Sequence, residues 1–290
     1  MLLPASSEAA CVTPDGALSL PALSPTAFQP YSFGQWARSA YHRFWYRLEE
    51  RFAWSRGTYH EQPAGRLSHL SGIQQTRIAS LQRRFRVRFE HQAEQTTALK
   101  QYDYLDVLER TWSALGLPYS VGGAVQDIGS SNFWYATAMH TFFQPSELVG
   151  IELEGYRIYT NGYSRLDYAQ GYIEDLPNTH FVIRDYAQYH HQADVVTAWY
   201  PFVTPAPVLA WRMPLSVLAP HALFAQVARN LKPNGFFIMV NQGTDEAAIA
   251  AAYCRQSGLS PYQPYQWYAL KTTLRPRISP VVSCWRLSNS

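Results

Sequence analysis

Several common kinds of protein are excluded by what this 290-residue chain has little of. It holds only three cysteines, Cys11, Cys254 and Cys284, with no CxxC pair and no Cys/His cluster. A disulfide framework and a structural zinc site are therefore not expected, and the sparse thiols fit a reducing compartment. Charged residues make up 16% and the formal net charge is +3, so the chain as a whole has no basic coat for nucleic acid. No run reaches 18 apolar residues, so no membrane span is expected. The first twenty residues carry neither Lys nor Arg and no long apolar stretch, so no secretory leader is expected and a soluble, cytoplasmic protein is. Two phosphate-binding motifs are also missing. GxxxxGK[ST] occurs nowhere, and GxGxxG fails around Gly129, where Ser131 and Trp134 occupy the later glycine places. The second failure argues against a nicotinamide dehydrogenase.

What is abundant is apolar and aromatic. Hydrophobic residues reach 47% and aromatics 15%, enough for a large core. Charge divides the chain: residues 31–110 hold 13 basic and 8 acidic side chains, whereas residues 111–290 hold 11 of each. Three regions are expected. Residues 1–30, rich in Ala, Ser, Pro and Leu without a period, read as a loosely structured tail. Residues 31–116 read as a helical cap or acceptor-binding region. Phe44, Leu48 and Phe52 recur every four residues; Ile73, Ile78, Leu81, Phe85 and Phe89 suggest a second helix; and Leu99, Tyr102, Leu105, Leu108, Trp112 and Leu115 mark a buried helical face that ends at Gly116. Residues 117–290 read as an α/β domain.

In that domain short apolar strands alternate with helical stretches, which implies βαβ units and a doubly wound, mostly parallel sheet with helices on both faces. The strands expected are Ala124–Ile128, Leu148–Leu153, Phe181–Arg184, Asp194–Ala198 and Phe236–Val240. Helices are expected at Phe133–Phe143, Ser164–Leu176, His221–Leu231 and Asp245–Gln256. Two further strands, Trp267–Leu274 and Val281–Leu287, should pair as an antiparallel hairpin. Gly155, Gly162 and Gly171 in the second crossover read as turns.

Open parallel sheets bind ligands beyond the carboxyl ends of their strands. There the sequence places Asp127-Ile128-Gly129-Ser130-Ser131-Asn132, then Gly150-Ile151-Glu152, then Arg184-Asp185-Tyr186, then Trp199-Tyr200-Pro201-Phe202. Gly129 permits a tight turn and close backbone approach. The following helix start offers free N–H groups. Glu152 can accept ribose hydroxyls, and Asp185 an exocyclic amine. A ligand with adenine, ribose and a charged tail satisfies all three.

This ordered set, together with Ala228–Phe237 as a helix–turn–strand entry through Leu231-Lys232-Pro233-Asn234-Gly235, resembles the class I S-adenosylmethionine-dependent methyltransferases over about residues 100–290. The resemblance implies a Rossmann-like, seven-stranded sheet with one antiparallel strand near the C-terminus and a helical region before it. It implies S-adenosyl-L-methionine as cofactor, held by Asp127, Gly129, Ser130, Ser131, Asn132, Glu152, Asp185 and Trp199. The first motif of that family often has three glycines at alternate positions; here they are Gly129, Ser131 and Phe133, with Asn132 the residue expected to take up a left-handed backbone. Trp199–Phe202 stands where some amino-group methyltransferases carry Asn/Asp-Pro-Pro-Tyr/Phe, of which only Pro201 and Phe202 remain. Tyr200, Phe202, Trp211 and Arg212 are the acceptor-binding candidates, and so aromatic a wall points to a small aromatic or apolar acceptor. No catalytic base is assigned and no metal is expected, because the sulfonium is already a good leaving group and the protein mainly aligns the partners. His190 and His191 read as a solvated pair. Two alternatives remain: a catalytically silent binding module on this fold, and an RNA methyltransferase using Arg83, Arg84, Arg86 and Arg88. The latter run also reads as the solvated side of a helix whose Phe85 and Phe89 pack inward.

Overall fold

In the computed structural model the described residues are 11–12, 18–19, 31–117, 122–262, 268–269 and 280–288. Of the expected N-terminal tail, only Cys11–Val12 and Leu18–Ser19 are described, paired antiparallel.

The strands from Ala124 onward form one mixed sheet. Its strands are β1 (Ala124–Ile128), β2 (Glu147–Glu152), β3 (Thr179–Ile183), β4 (Ala193–Trp199), β5 (Leu231–Gln242), β6 (Leu259–Pro261) and β7 (Pro280–Leu287). Their order is β3-β2-β1-β4-β5-β7-β6. β1 to β5 are parallel to one another, and β7 runs antiparallel to both β5 and β6. The expected seven-stranded sheet with one reversed strand is present, and the two-residue strand Tyr268–Ala269 adds an eighth against β7. Its last edge differs from expectation. Within Trp267–Leu274 only Tyr268–Ala269 is described, and it does pair antiparallel with Val282 and Val281. The edge is completed by β6, a three-residue strand ending in Pro261, which an edge tolerates because one side of the strand needs no donor.

Alternating side chains of each strand feed two cores, as burial on both faces requires. Val125, Leu148, Val195, Ile238 and Val240 pack with α3 (Gln95–Leu115) and α4 (Ala136–Phe143) on one face. Ile151, Val196, Phe237 and Met239 pack with α7 (Pro220–Asn230) and α8 (Thr244–Gln256) on the other, the short α6 (Pro205–Ala210) lying between β4 and α7 in the chain. The crossover from β2 to β3 carries α5 (Arg165–Ile173), started by a reciprocal Ser164–Asp167 capping box.

Three local expectations are corrected. The helix after β1 begins at Ala136, not Phe133, because Ser131 and Phe133 both hold positive φ (56° and 54°) and cannot continue a right-handed helix. Asn132 is not the left-handed residue. The expected turn at Leu231–Gly235 is a bulged entry into β5: α7 runs to Asn230 and the strand begins at once, with Asn234 at φ 66°. Gly171 is not a turn but lies inside α5, where a Cβ would stand 1.9 Å from the Tyr59 carbonyl oxygen. That close approach docks the 54–61 segment, whose Ser55 and Arg56 also bond the Asp167 carboxylate.

The N-terminal helices form where the periodicity places them: α1 (Phe33–Phe52), α2 (Gly72–Phe85) and α3. α2 and α3 are tied by Arg77, which bridges Asp106 and Glu109. Phe85 packs against Phe142 and Phe89 is fully buried in a short 3-10 turn, while Arg83, Arg86 and Arg88 face outward. α1 behaves otherwise. Its four-residue stripe is exposed, with Phe44 at 61% and Phe52 at 71%, and the opposite side meets the body through Ser39, whose hydroxyl accepts the Leu215 N–H.

Candidate functional site

The strand order reverses between β1 and β4, and the crevice at such a point is where doubly wound sheets take ligands. A cavity of about 380 Å³ opens there, within the roughly 300–1,000 Å³ usual for small-molecule sites. Four sequence elements meet around it. The loop after β1 brings Gly129, Ser131, Trp134 and Tyr135; the end of β2 brings Glu152; the end of β3 brings Arg184, Asp185 and Tyr186; the end of β4 brings Trp199, Tyr200 and Phe202. α3 closes the side with Lys100, Asp103 and Tyr104, and Trp211 and Met213 close the top.

The β1 loop has positive φ at the three alternate positions of a triple-glycine turn, with glycine at only the first. Gly129, Ser131 and Phe133 have φ of 70°, 56° and 54°. For Ser and Phe that conformation costs about 1 kcal/mol each. Two contacts hold it. The Ser131 N–H donates to Glu152 Oε2 at 2.6 Å. The Phe133 ring, fully buried, lies over Gly150, where an added Cβ would come within 2.7 Å of it. Gly150 is thus a glycine because Phe133 needs the space.

The acids differ sharply in setting. Asp127 does not reach the cavity. It is fully buried, accepting from Thr197 Oγ1 at 2.5 Å and from the Tyr135 hydroxyl at 2.6 Å. Burial pushes its carboxyl up to about 7, against the pull of those hydrogen bonds. Ser130 is likewise sealed, donating to the Asp127 and Ile151 carbonyls. Glu152 does line the cavity, but much of its capacity is spent. Oε1 accepts the Glu154 N–H (2.8 Å) and Arg165 Nη1 (3.2 Å), while Oε2 takes only Ser131. Asp185 caps a short turn, its Oδ1 accepting the Ala187 N–H at 2.9 Å.

Arg165 is the residue that sequence reasoning missed. It is buried, sits in ion pairs with Glu152 (3.2 Å) and Glu154 (3.1 Å), and its Nε has no partner. Burial works against its charge, but Glu152 and Glu154 outweigh it and raise its pKa. The available signal was the second acid two residues beyond Glu152, since two buried carboxylates demand a cation. Tyr104 was also missed. Its ring stacks on Trp199 (3.9 Å between centroids) and on Tyr135 (4.4 Å), forming an aromatic wall at the β1–β4 junction. The Trp199 Nε1 at that wall is buried and unpartnered.

Of the sequence candidates, Gly129, Ser131, Glu152, Asp185, Trp199, Tyr200, Phe202 and Trp211 converge on this cavity. Asn132 and Arg212 line instead an adjoining space of about 1120 Å³, which shares Lys100, Ser131, Trp134, Arg165 and Trp211 with the first. His190 and His191 are exposed and precede β4, at the amino end of that strand and away from the cavity at its carboxyl end. Among the described residues no His, Cys, Asp and Glu group could hold a metal ion, and no helix is long and apolar enough to cross a membrane.

The sheet order, the single reversed strand and the loop after β1 together decide the architecture. The fold is that of the class I S-adenosylmethionine-dependent methyltransferases. Methyltransferases are among the solved structures similar to this chain. An S-adenosylmethionine-dependent methyltransferase from Clostridium acetobutylicum is 9% identical, covers 64% of this chain and 92% of its own, and has a TM-score of 0.45. One from Aquifex aeolicus is 10% identical, with coverages of 64% and 95% and a TM-score of 0.45. The glycopeptide N-methyltransferase MtfA, complexed with sinefungin, is 10% identical, with 64% and 87% covered and a TM-score of 0.45. No family model and no curated protein matches the sequence.

Proposed function

We propose that the protein is an S-adenosyl-L-methionine-dependent methyltransferase acting on a small molecule. The observation that carries this is the convergence of Gly129, Ser131, Glu152, Asp185 and Trp199 on one cavity at the reversal point of the sheet. The residues present fit the cofactor in three respects. Among the described residues Glu152 Oε2 accepts one hydrogen bond, from the Ser131 N–H, and keeps a lone pair for a ribose hydroxyl. Asp185 Oδ1 is used in its turn, leaving Oδ2 as acceptor for an adenine amine. Trp199 carries an unsatisfied buried N–H, and the stacked Tyr104–Trp199 pair lines the cavity as an aromatic wall beside which a cationic centre is favoured. Bound there, S-adenosyl-L-methionine supplies an electrophilic methyl on a sulfonium. The chain's own task is alignment and exclusion of water, achieved by Tyr104, Trp134 and Trp199, with Tyr200, Phe202 and Trp211 on the acceptor side. Asp127 acts behind the site, where its bonds to Thr197 and Tyr135 fix the β1 loop. α1 and the 200–213 segment serve as the cap over the acceptor. The sparse thiols, with Cys254 and Cys284 both buried and unbonded, suit a cytoplasmic, reducing setting.

Calorimetry with S-adenosylmethionine and S-adenosylhomocysteine tests the reading. Binding is expected, weakened by Glu152→Ala; no heat at millimolar ligand would overturn it. A second reading, a binding module without transfer, is favoured by one observation: Arg165 holds Glu152 and leaves it a single free acceptor site toward the cavity. Against an RNA acceptor, none of Arg83, Arg84, Arg86 and Arg88 lines either cavity, and Arg84 is engaged by Glu109 at 2.6 Å.

A further inference from the structure

The larger cavity beside the donor site has a chemistry of its own. One wall is α1, through Tyr41, His42 and Trp45; another is the 154–168 segment; the third is Trp211 and Arg212. It shares Lys100, Ser131, Trp134, Arg165 and Trp211 with the first cavity, so a molecule seated in it lies next to the proposed methyl donor. Four cationic side chains line it, Lys100, Arg157, Arg165 and Arg212, against two acids, Glu49 and Glu154. Glu154 is already held by Arg157 at 2.9 Å and Arg165 at 3.1 Å. The Arg212 guanidinium makes no hydrogen bond or ion pair with any described residue, while its backbone N–H donates to the Leu209 carbonyl and its backbone is left-handed (φ 60°), which a non-glycine residue adopts at a cost. Facing it is His42, whose Nε2 is buried without a partner. Burial and then the charges of Arg38, Arg212 and Arg157 lower the His42 pKa, so the ring is neutral amid cations. With Arg165 taken by Glu152 and Glu154, and Arg157 by Glu154, the Arg212 guanidinium in the same space as the unsatisfied His42 nitrogen is the cation placed to take an anion.

We infer that the methyl acceptor is an aromatic anion, a planar ring bearing a carboxylate or phosphate, whose charged group sits against His42, Arg157 and Arg212. The inference rests on the methyltransferase reading for the word acceptor; the anion site itself stands on the cavity. The planar body belongs between Trp45, Trp134 and Trp211, rings that line the same space and that stack well on flat ligands. Arg is the side chain suited to either head group, because its planar fork meets carboxylate and phosphate alike.

Three naphthalenes of one shape test this: 2-naphthoate, 2-naphthyl phosphate and neutral 2-naphthamide, titrated by quenching of tryptophan fluorescence. At least one anion should bind about tenfold tighter than the amide, the equivalent of one charge-assisted hydrogen bond, and the better of the two identifies the head group. Arg212→Gln, at an exposed position, should reduce that preference to about threefold or less. In the wild-type protein the anion should also raise the His42 titration midpoint seen by NMR. Equal binding of amide and anions, no binding by any of the three, a preference untouched by Arg212→Gln, or an unmoved His42 would overturn the inference. S-adenosylhomocysteine calorimetry on the same wild-type sample separates the two claims. If it binds and the anions show no preference, only the acceptor inference falls; if the anions bind and it does not, the donor reading falls and the anion site remains.

Discussion

The floor and the outer wall of the site are built on opposite principles. The floor is made of strand ends whose polar groups are buried and already bonded: Asp127 to Thr197 and Tyr135, and Glu152 to Ser131, Glu154 and Arg165. The wall is α1 and the Trp211–Arg212 corner, where Tyr41, Trp45 and Trp211 are half exposed and Arg212 is unpaired among the described residues. A preorganised floor fixes where a donor would sit; a loosely supported wall is where specificity can change without cost to the fold. Substitutions in the first should therefore move stability, and those in the second should move ligand preference.

The largest effect is expected at Phe133. Replacing its buried ring by alanine empties the space above Gly150 and removes what holds the loop. Phe133→Ala should cost about 3–5 kcal/mol in urea unfolding; a loss under about 1 would show that the loop is held by something else. Next is the pH dependence of Asp127. Its folded pKa, about 7, lies above its ordinary value of 3.8, so the folded state binds the extra proton. Its contribution is fully present below about pH 4 and is lost as pH rises through about 7. Asp127→Asn keeps an acceptor for one hydroxyl and cannot ionise. It should flatten Tm against pH between about 4 and 7, and be the more stable protein at pH 8 by on the order of 1–2 kcal/mol. A variant with the wild-type slope would rule out this source. Smaller again, Ser131→Gly relieves a left-handed serine but loosens the unfolded chain, and should stabilise by about 1 kcal/mol or less. Destabilisation would mean that the serine side chain, not its amide, holds the turn. On the outer wall, Phe44→Ser should change stability by no more than about 0.5 kcal/mol. A larger loss would mean that the exposed stripe of α1 is buried in solution.

Most of the sheet was legible because fully buried strands read as short apolar runs, and each of the five parallel strands matched one. β6 was not, since three residues ending in proline carry no period. At the site, the acids at the ends of β1, β2 and β3 were visible as residues, but their roles depend on partners far off in the chain. Nothing local to Asp127 says that Tyr135 and Thr197 will seal it, and nothing local to Glu152 says that Arg165, thirteen residues on, will hold it. Asn132 looked the natural left-handed residue by preference alone. The backbone instead bends at Ser131 and Phe133, because the Glu152 carboxylate and the space over Gly150 reward it there. On α1 the four-residue period correctly signalled a helix, yet period says nothing of which side faces solvent when aromatic rings lie on most of the surface.

The most direct test of the whole account is a crystal structure of the protein with S-adenosylhomocysteine. The account predicts a ribose hydroxyl on Glu152 Oε2, the adenine edge at Asp185, and the sulfur beside Trp199 and Tyr104, with Asp127 still sealed behind. A ligand seated away from the β1–β4 junction, or a Glu152 wholly retained by Arg165 with the ribose untouched, would contradict it.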